Sequence, residues 1–428
     1  MFAVIGLVAI SFSAIYSAGI NYENSFKYVS MQALALGIGF VGLLLLARFN
    51  YQYYKYLDKF IYILSLLLLI SVLIFGTVKR GTKGWFDFGF ISFQPVEIAK
   101  IMFILVFASF LDTKSKEVEK VSFLFFSFVI LAIHLILIMM QPDFSSTLSY
   151  FPVTLILLFM ICVSPFYLFC IVIFGALAIG IPLLSTFINM HLKISPSGAF
   201  LTSLVFFLKM NLNWLYIIIA IIFLIMCFWW FLWKLKIRIS IIYPLVLCNV
   251  IFWGCITSIP LEKSLKDYQK KRLVVFVNPK IDPKGSGYNI IQSKIAIGSG
   301  KFMGKGFKKG TQTQLGFLPE RHTDFIFSVI GEEGGWVIAQ LTLFLYFLFI
   351  WRCLIIAKAA RDRYGSLVAI GITTMFVFYA VINIGMVMGM MPVTGMPLLL
   401  LSYGGSSIFS SLCAIGILLS IHIRRHIY

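Results

Sequence analysis

Residues 278–289 read Asn-Pro-Lys-Ile-Asp-Pro-Lys-Gly-Ser-Gly-Tyr-Asn, residues 292–300 Gln-Ser-Lys-Ile-Ala-Ile-Gly-Ser-Gly, and residues 319–327 Pro-Glu-Arg-His-Thr-Asp-Phe-Ile-Phe. This polar, Gly- and Lys-rich stretch is set between continuous hydrophobic runs, and the contrast decides the fold. Hydrophobic residues make up 61% of the 428 and charged residues only 12%, with a mean hydropathy of +0.99. A water-soluble core of this size cannot absorb so much apolar surface. The runs are about 20 residues long and uniformly apolar, the length that crosses a bilayer as a helix. Barrel strands would instead alternate polar and apolar residues. The chain therefore reads as an all-α polytopic membrane protein that places its chemistry in one long polar loop.

Working outward from the loop, apolar spans fall at roughly 2–18, 29–47, 60–77, 94–111, 121–140, 147–163, 166–187, 212–233, 239–259, 324–351, 366–389 and 397–421, twelve in all. The first has no basic leader and no small-residue cleavage site, so it reads as a retained helix. With the N-terminus inside, the cytoplasmic connections carry Arg48, Lys55, Lys59, Lys114, Lys116, Lys120, Lys234, Lys236, Arg238, Arg352, Lys358, Arg361 and Arg363, and the tail carries Arg424 and Arg425. This is the positive-inside pattern. The basic 261–323 loop lands outside, which the rule permits for a long loop. The run Gly198–Met210 is too short to span and reads as an interfacial or re-entrant piece.

The net charge is +19, but no basic helix interleaved with aromatics points to nucleic acid; anionic lipid head groups are the better partner. All seven cysteines lie in or beside apolar runs, so neither a disulfide framework nor a zinc spacing is present.

Asp282 sits between Pro279 and Pro283 in strong turn chemistry. It reads either as a turn residue or as a carboxylate held at the membrane surface to take a proton from a hydroxyl, and a turn is a good mount for a base. Glycines 298, 300, 304, 306 and 310, interleaved with Lys301, Lys305, Lys308 and Lys309, form either a flexible basic loop or a phosphate cradle without a nucleotide-binding fingerprint. Glu97 and Lys100 follow Gln94-Pro95 and share a helix face at i,i+3. They neutralise each other or line a polar cavity, the default reading for ionisable groups inside a span. Gln141-Pro142-Asp143 and Glu332-Glu333 are further polar breaks near span ends. Arg321, His322 and Asp324 cluster where the long loop re-enters the bilayer. Asn383 and Ser402 through Ser406 fit close helix packing.

Taken with Lys83-Gly84-Trp85, Ser92 through Lys100, Gln141-Pro142-Asp143, Asn383 through Val387 and Ser402 through Ser406, the loop strings resemble the SEDS family of cell-wall polymerases (FtsW/RodA/SpoVE). Gln292, Ser293, Lys294 and Arg321 look like its RodA branch. The resemblance implies a peptidoglycan glycosyltransferase that polymerises lipid II with a class B penicillin-binding protein as partner. It places the essential aspartate on Asp282 and the intramembrane pair on Glu97 and Lys100. Gln94, Gln141, Asp143, Gln292, Lys294, Arg321, His322, Asp324 and Ser402 become candidate substrate-binding residues, and a divalent cation, Mg or Mn, a candidate cofactor. The family has ten spans. The expected organisation is thus 1–165 and 236–428 as the two membrane parts of the core, the second holding the catalytic loop 261–323, with 166–235 as an inserted pair. Phe144-Ser145 stand where the family usually has Leu-Gly, and Gly334 where it usually has Leu. A flippase without chemistry and a scaffold that activates a partner synthase are the alternative readings.

Overall fold

The computed structural model describes residues 1–19, 25–79, 81–87, 89, 92–117, 121–161, 166–167, 169–177, 180–181, 211–235, 241–264, 275 and 286–426. Asp282, the Gly198–Met210 run and most of the loop before Ser286 lie outside the described residues. Helices are α1 (Phe2–Gly19), α2 (Ser25–Arg48), α3 (Gln52–Tyr56), α4 (Asp58–Phe75), α5 (Pro95–Thr113), α6 (Val121–Met140), α7 (Phe144–Met160), α8 (Asn211–Lys234), α9 (Ile242–Ser264), α10 (Ser286–Ser299), α11 (Thr311–Gln314), α12 (Ile326–Lys358), α13 (Arg363–Val387) and α14 (Gly405–Ile423). Among the described residues, seven helices are long and apolar enough to cross a membrane. A helix is the form that satisfies a spanning backbone from within, and this is a polytopic all-α membrane protein.

Each expected span except 166–187 coincides with a described helix; that one is helical over 169–177 and partly outside the described residues. One expectation needs correction. The run 397–421 becomes helical only at Gly405, because Pro397, a positive φ at Leu400 and the Gly404-Gly405 pair keep residues 397–404 irregular. Residues 77–93, which the sequence left unassigned, form a small antiparallel sheet of β1 (Thr77–Lys79), β2 (Thr82–Asp87) and β3 (Ser92–Phe93) in the order β1-β2-β3.

The chain divides into two compact units, one of Met1–Val163 with Asn289–Tyr428 and the other of Ser164–Tyr288. In the first, α14 packs along α2, α12 against α13 and α1, and α5 against α4 and α13. In the second, α8 packs on α9. Small residues allow the tightest of these approaches. A Cβ on Gly39 would lie 2.7 Å from Leu412, and one on Gly416 would lie 2.6 Å from the Leu43 carbonyl, the close approach expected where helices pair in lipid.

Helix α12 is broken. Gly335 has φ 65° and ψ −163°, which no L side chain adopts easily. A break strands backbone groups on both sides, and inside a membrane protein each must find a partner. The loop 300–306 supplies them. Trp336 and Val337 donate to the carbonyls of Lys301 and Phe302 at 2.9 and 3.2 Å. The amides of Lys305 and Gly306 donate to the carbonyls of Glu332 and Glu333, both at 3.0 Å. Gly304 (φ +77°) passes so close that a Cβ would lie 2.1 Å from the Glu333 carbonyl.

Candidate active site

Pro95 opens α5, where its missing N–H costs nothing, and the helix carries Glu97 and Lys100 inward. Both are buried, at 6% and 4% exposure. Lys100 Nζ lies 2.8 Å from Glu97 Oε1 and also donates to the Tyr379 hydroxyl on α13. The Ser410 hydroxyl of α14 donates to Glu97 Oε2 at 3.5 Å. Three helices therefore converge on one buried ion pair, and removing either partner alone would cost about 3–5 kcal/mol. A cavity of about 10 Å³, lined in part by Lys100, Ser149 and Tyr150, adjoins the pair; that is room for about one water.

At the N-cap of α5, Gln94 Nε2 donates to Asp143 Oδ2 at 2.9 Å, and the Gln94 backbone amide donates to Ser406 Oγ at 2.8 Å. Asp143 caps α7 by accepting from the Ser146 amide at 3.0 Å and from the hydroxyls of Ser145 and Ser146 at 2.8 and 2.7 Å. Capping by a carboxylate satisfies orphan amides at a helix start. Ser145, a departure from the family pattern, adds one of those donors. Fully buried Gln141 donates to the Leu69 carbonyl at 3.2 Å, while its Oε1 has no hydrogen-bond partner.

The basic loop is organised by Glu332, which is fully buried. Its Oε1 accepts from Lys305 Nζ at 2.9 Å, Thr311 Oγ1 at 3.2 Å and the Gln312 amide at 2.8 Å. Its Oε2 accepts from the amide and hydroxyl of Thr313 at 2.9 and 2.7 Å. Glu333 accepts from Ser17 Oγ at 2.6 Å. Of the expected phosphate cradle, Lys305 and two amides are thus committed to α12, whereas Lys301, Lys308 and Lys309 stay exposed.

Arg321 is buried and donates to the carbonyls of Ala18 (2.8 Å, from Nε) and Thr313, pinning the loop to the end of α1. His322 lies against Tyr28 and Tyr403, with centroid separations of 5.1 and 5.8 Å. Ser402 Oγ donates to the Thr323 carbonyl at 2.7 Å and accepts the Leu398 amide at 2.8 Å. Asn383 ties the carbonyls of Asp324 and Met396 together at 2.9 and 2.7 Å. Asp324 and Gln292 are half-buried and Lys294 is exposed; the Lys294 stem crosses Gly389, whose Cβ would meet Nζ at 2.5 Å.

The structure thus joins Glu97 to Lys100, Gln94 to Asp143, and the 321–324 string to Ser402. Tyr379 and Ser410 escaped sequence reasoning. A signal exists: Tyr379 and Asn383 are four apart on α13, as are Ser406 and Ser410 on α14, the spacing of one helix face. Among the described residues no three His, Cys, Asp or Glu side chains converge as metal ligands.

The family model for the cell cycle proteins FtsW, RodA and SpoVE matches residues 1–197 and 193–427. The peptidoglycan glycosyltransferase RodA of Treponema pallidum (strain Nichols) is 34% identical, over 99% of this chain and 97% of its own length. The peptidoglycan glycosyltransferase MrdB of Escherichia coli (strain K12) is 34% identical over 96% and 90%. A chain in a solved structure on the structural coordination of polymerization and crosslinking by a peptidoglycan synthase complex is 26% identical with a TM-score of 0.68, covering 100% of this chain and 97% of that one. The rod shape determining protein RodA of Thermus thermophilus shares the fold, with a TM-score of 0.60 at 22% identity, covering 99% of this chain and 96% of that one.

Proposed function

The chain belongs to the FtsW/RodA/SpoVE family of cell cycle proteins, and on that premise we propose that it is a peptidoglycan glycosyltransferase that polymerises lipid II during cell elongation. The observation that carries this reading is the full-length identity to the relative named for that activity. Asp282 takes the proton from the C4 hydroxyl of one lipid-linked disaccharide, whose oxygen then displaces undecaprenyl diphosphate from C1 of the other with inversion. General-base assistance of this kind contributes about 10²–10⁴ in rate. Exposed Lys301, Lys308 and Lys309 and the nearby Lys294 are suited to the developing diphosphate charge.

Both termini face the cytoplasm and the 261–323 loop faces outward, a reading supported by the Lys/Arg distribution. A class B penicillin-binding protein is the crosslinking partner, a reading supported by the likeness to a chain in a peptidoglycan synthase complex. The test is purified protein supplied with labelled lipid II. The wild type makes glycan chains, and Asp282→Asn loses at least about 10² in rate, while Asp267→Asn in the same loop stays near wild type. Chains made at wild-type rate by Asp282→Asn would move the base elsewhere. Translocation of lipid II without chains would make the protein a transporter, and neither activity would leave the scaffold reading.

A further inference from the structure

Helices α7, α12 and α13 leave a lateral groove between them that the chemistry above does not use. Its volume is about 680 Å³, within the range of small-molecule sites. The walls are apolar, with Ile156 from α7, Leu354 from α12 and Val377 from α13 among them. The two threonines in the wall, Thr373 and Thr374, turn their hydroxyls back to the carbonyls of Ala369 and Ile370 at 2.6 and 2.9 Å. The hydroxyl donors of the walls are therefore already used within α13.

One end is different. Lys358, at the last turn of α12, and Ser366, in the first turn of α13, close the groove. Lys358 is exposed, as are Arg361 and Arg363 in the connecting turn. The one acid in that turn, Asp362, is occupied by the Tyr51 hydroxyl at 2.5 Å and the Gly365 amide at 3.2 Å. The positive end of the α13 dipole lies at the same place. From Ser366 to Val381 the α13 wall runs 15 residues, about 22 Å at 1.5 Å per residue. One leaflet of a ~30 Å hydrocarbon core plus its head-group layer has about that depth.

We infer that this groove binds one anionic diacyl phospholipid, its phosphate at Lys358 and Ser366 and an acyl chain along α7 and α13. Charge complementarity selects the occupant: Lys358 and a helix N-terminus stand at the mouth, with Arg361 and Arg363 in the adjoining turn, and only hydrocarbon suits the walls. The lipid-linked substrate is disfavoured by position, since the groove's basic end lies at the Lys358 end of α12, away from the end at which the described 300–323 segment enters that helix. The lipid acts as a wedge that holds α12 and α13 at their spacing. The inference does not depend on the glycosyltransferase reading, and polymerisation is not its readout.

The test is native mass spectrometry of the purified full-length protein in detergent with equimolar phosphatidylglycerol and phosphatidylcholine, repeated with a polyprenyl diphosphate as competitor. One phosphatidylglycerol is expected to remain bound in preference to phosphatidylcholine. Lys358→Gln should weaken its retention about fivefold, the factor one cation contributes beside anionic lipid. Ile370→Trp, which fills the groove, should abolish retention of either lipid, with elution volume reporting that both variants are folded. Equal retention of the two phospholipids, displacement by the polyprenyl diphosphate, or unchanged retention in both variants would overturn the inference.

Discussion

Replacing Glu332 by Gln should open the loop that bridges the break in α12. The carboxylate accepts five hydrogen bonds: three on one oxygen and two on the other. A glutamine presents one carbonyl oxygen and one amino group, so whichever way it turns, at least one N–H that cannot reverse its role faces a donor. The Lys305 ammonium also loses its countercharge. Breaking a buried pair costs about 3–5 kcal/mol, and because the Lys305 side chain keeps 25% of its surface in solvent, the lower end applies. About 3 kcal/mol corresponds to a rise of roughly 10² in the open population, and proteolysis tracks that population when reclosing is fast. The assay is tryptic cleavage at Lys301, Lys305, Lys308 and Lys309 in detergent-purified protein, followed by mass spectrometry. Lys305→Met is the calibration. It leaves four uncharged donors on the carboxylate, so its cost of about 2 kcal/mol should raise cleavage at the other lysines about thirtyfold, less than Glu332→Gln. A Glu332→Gln protein cleaved at the wild-type rate would refute the idea that the carboxylate holds the loop.

Gly304→Ala and Gly306→Ala share a positive φ but not their surroundings, since a Cβ would lie 2.1 Å from the Glu333 carbonyl at 304 and no nearer than 3.5 Å from Lys309 at 306. Gly306→Ala should cost about 1–2 kcal/mol of strain, and Gly304→Ala clearly more; equal thermal midpoints would contradict this. If Glu97 and Lys100 handle substrate, Glu97→Gln with Lys100→Met should fold, because no charge is left unmatched, yet lose polymerisation. A folded, fully active double variant would make them a structural pair. In a cysteine-free background, an impermeant thiol reagent added outside cells should label Ser286→Cys and leave Ser115→Cys unlabelled, and the reverse pattern would invert the topology.

Spans were legible because twenty apolar residues in a row have few other fates. The break at Gly335 was not, although Gly334-Gly335 stands in plain view, because a helix break is tolerable only if a distant segment satisfies the freed backbone groups. Here that segment is the 300–306 loop. Gly334 itself avoids a crowd, as its Cβ would lie 2.5 Å from Ile338. The residues of the candidate site were recognisable as polar groups in the wrong place for lipid, but their partners were not. Arg321 finds the Ala18 carbonyl 303 positions away, and Gln94 finds Ser406 across 312. Periodicity reports only on neighbours along one helix.

The first helices of the chain are completed by the last. Ser11 bonds the Leu401 carbonyl at 2.7 Å, Ser420 bonds the Phe49 carbonyl at 2.5 Å, and α2 lies along α14. A ribosome adding about 5–20 residues per second needs on the order of half a minute to separate Ser11 from Leu401 in time. During that interval α1 and α2 sit in the bilayer with their glycine seams open and nothing of their own to close them. Assembly is therefore a matter of custody. An insertase or a lipid annulus must shelter the early helices until α14 arrives, and a nascent chain stalled before Gly405 would be a natural substrate for membrane quality control.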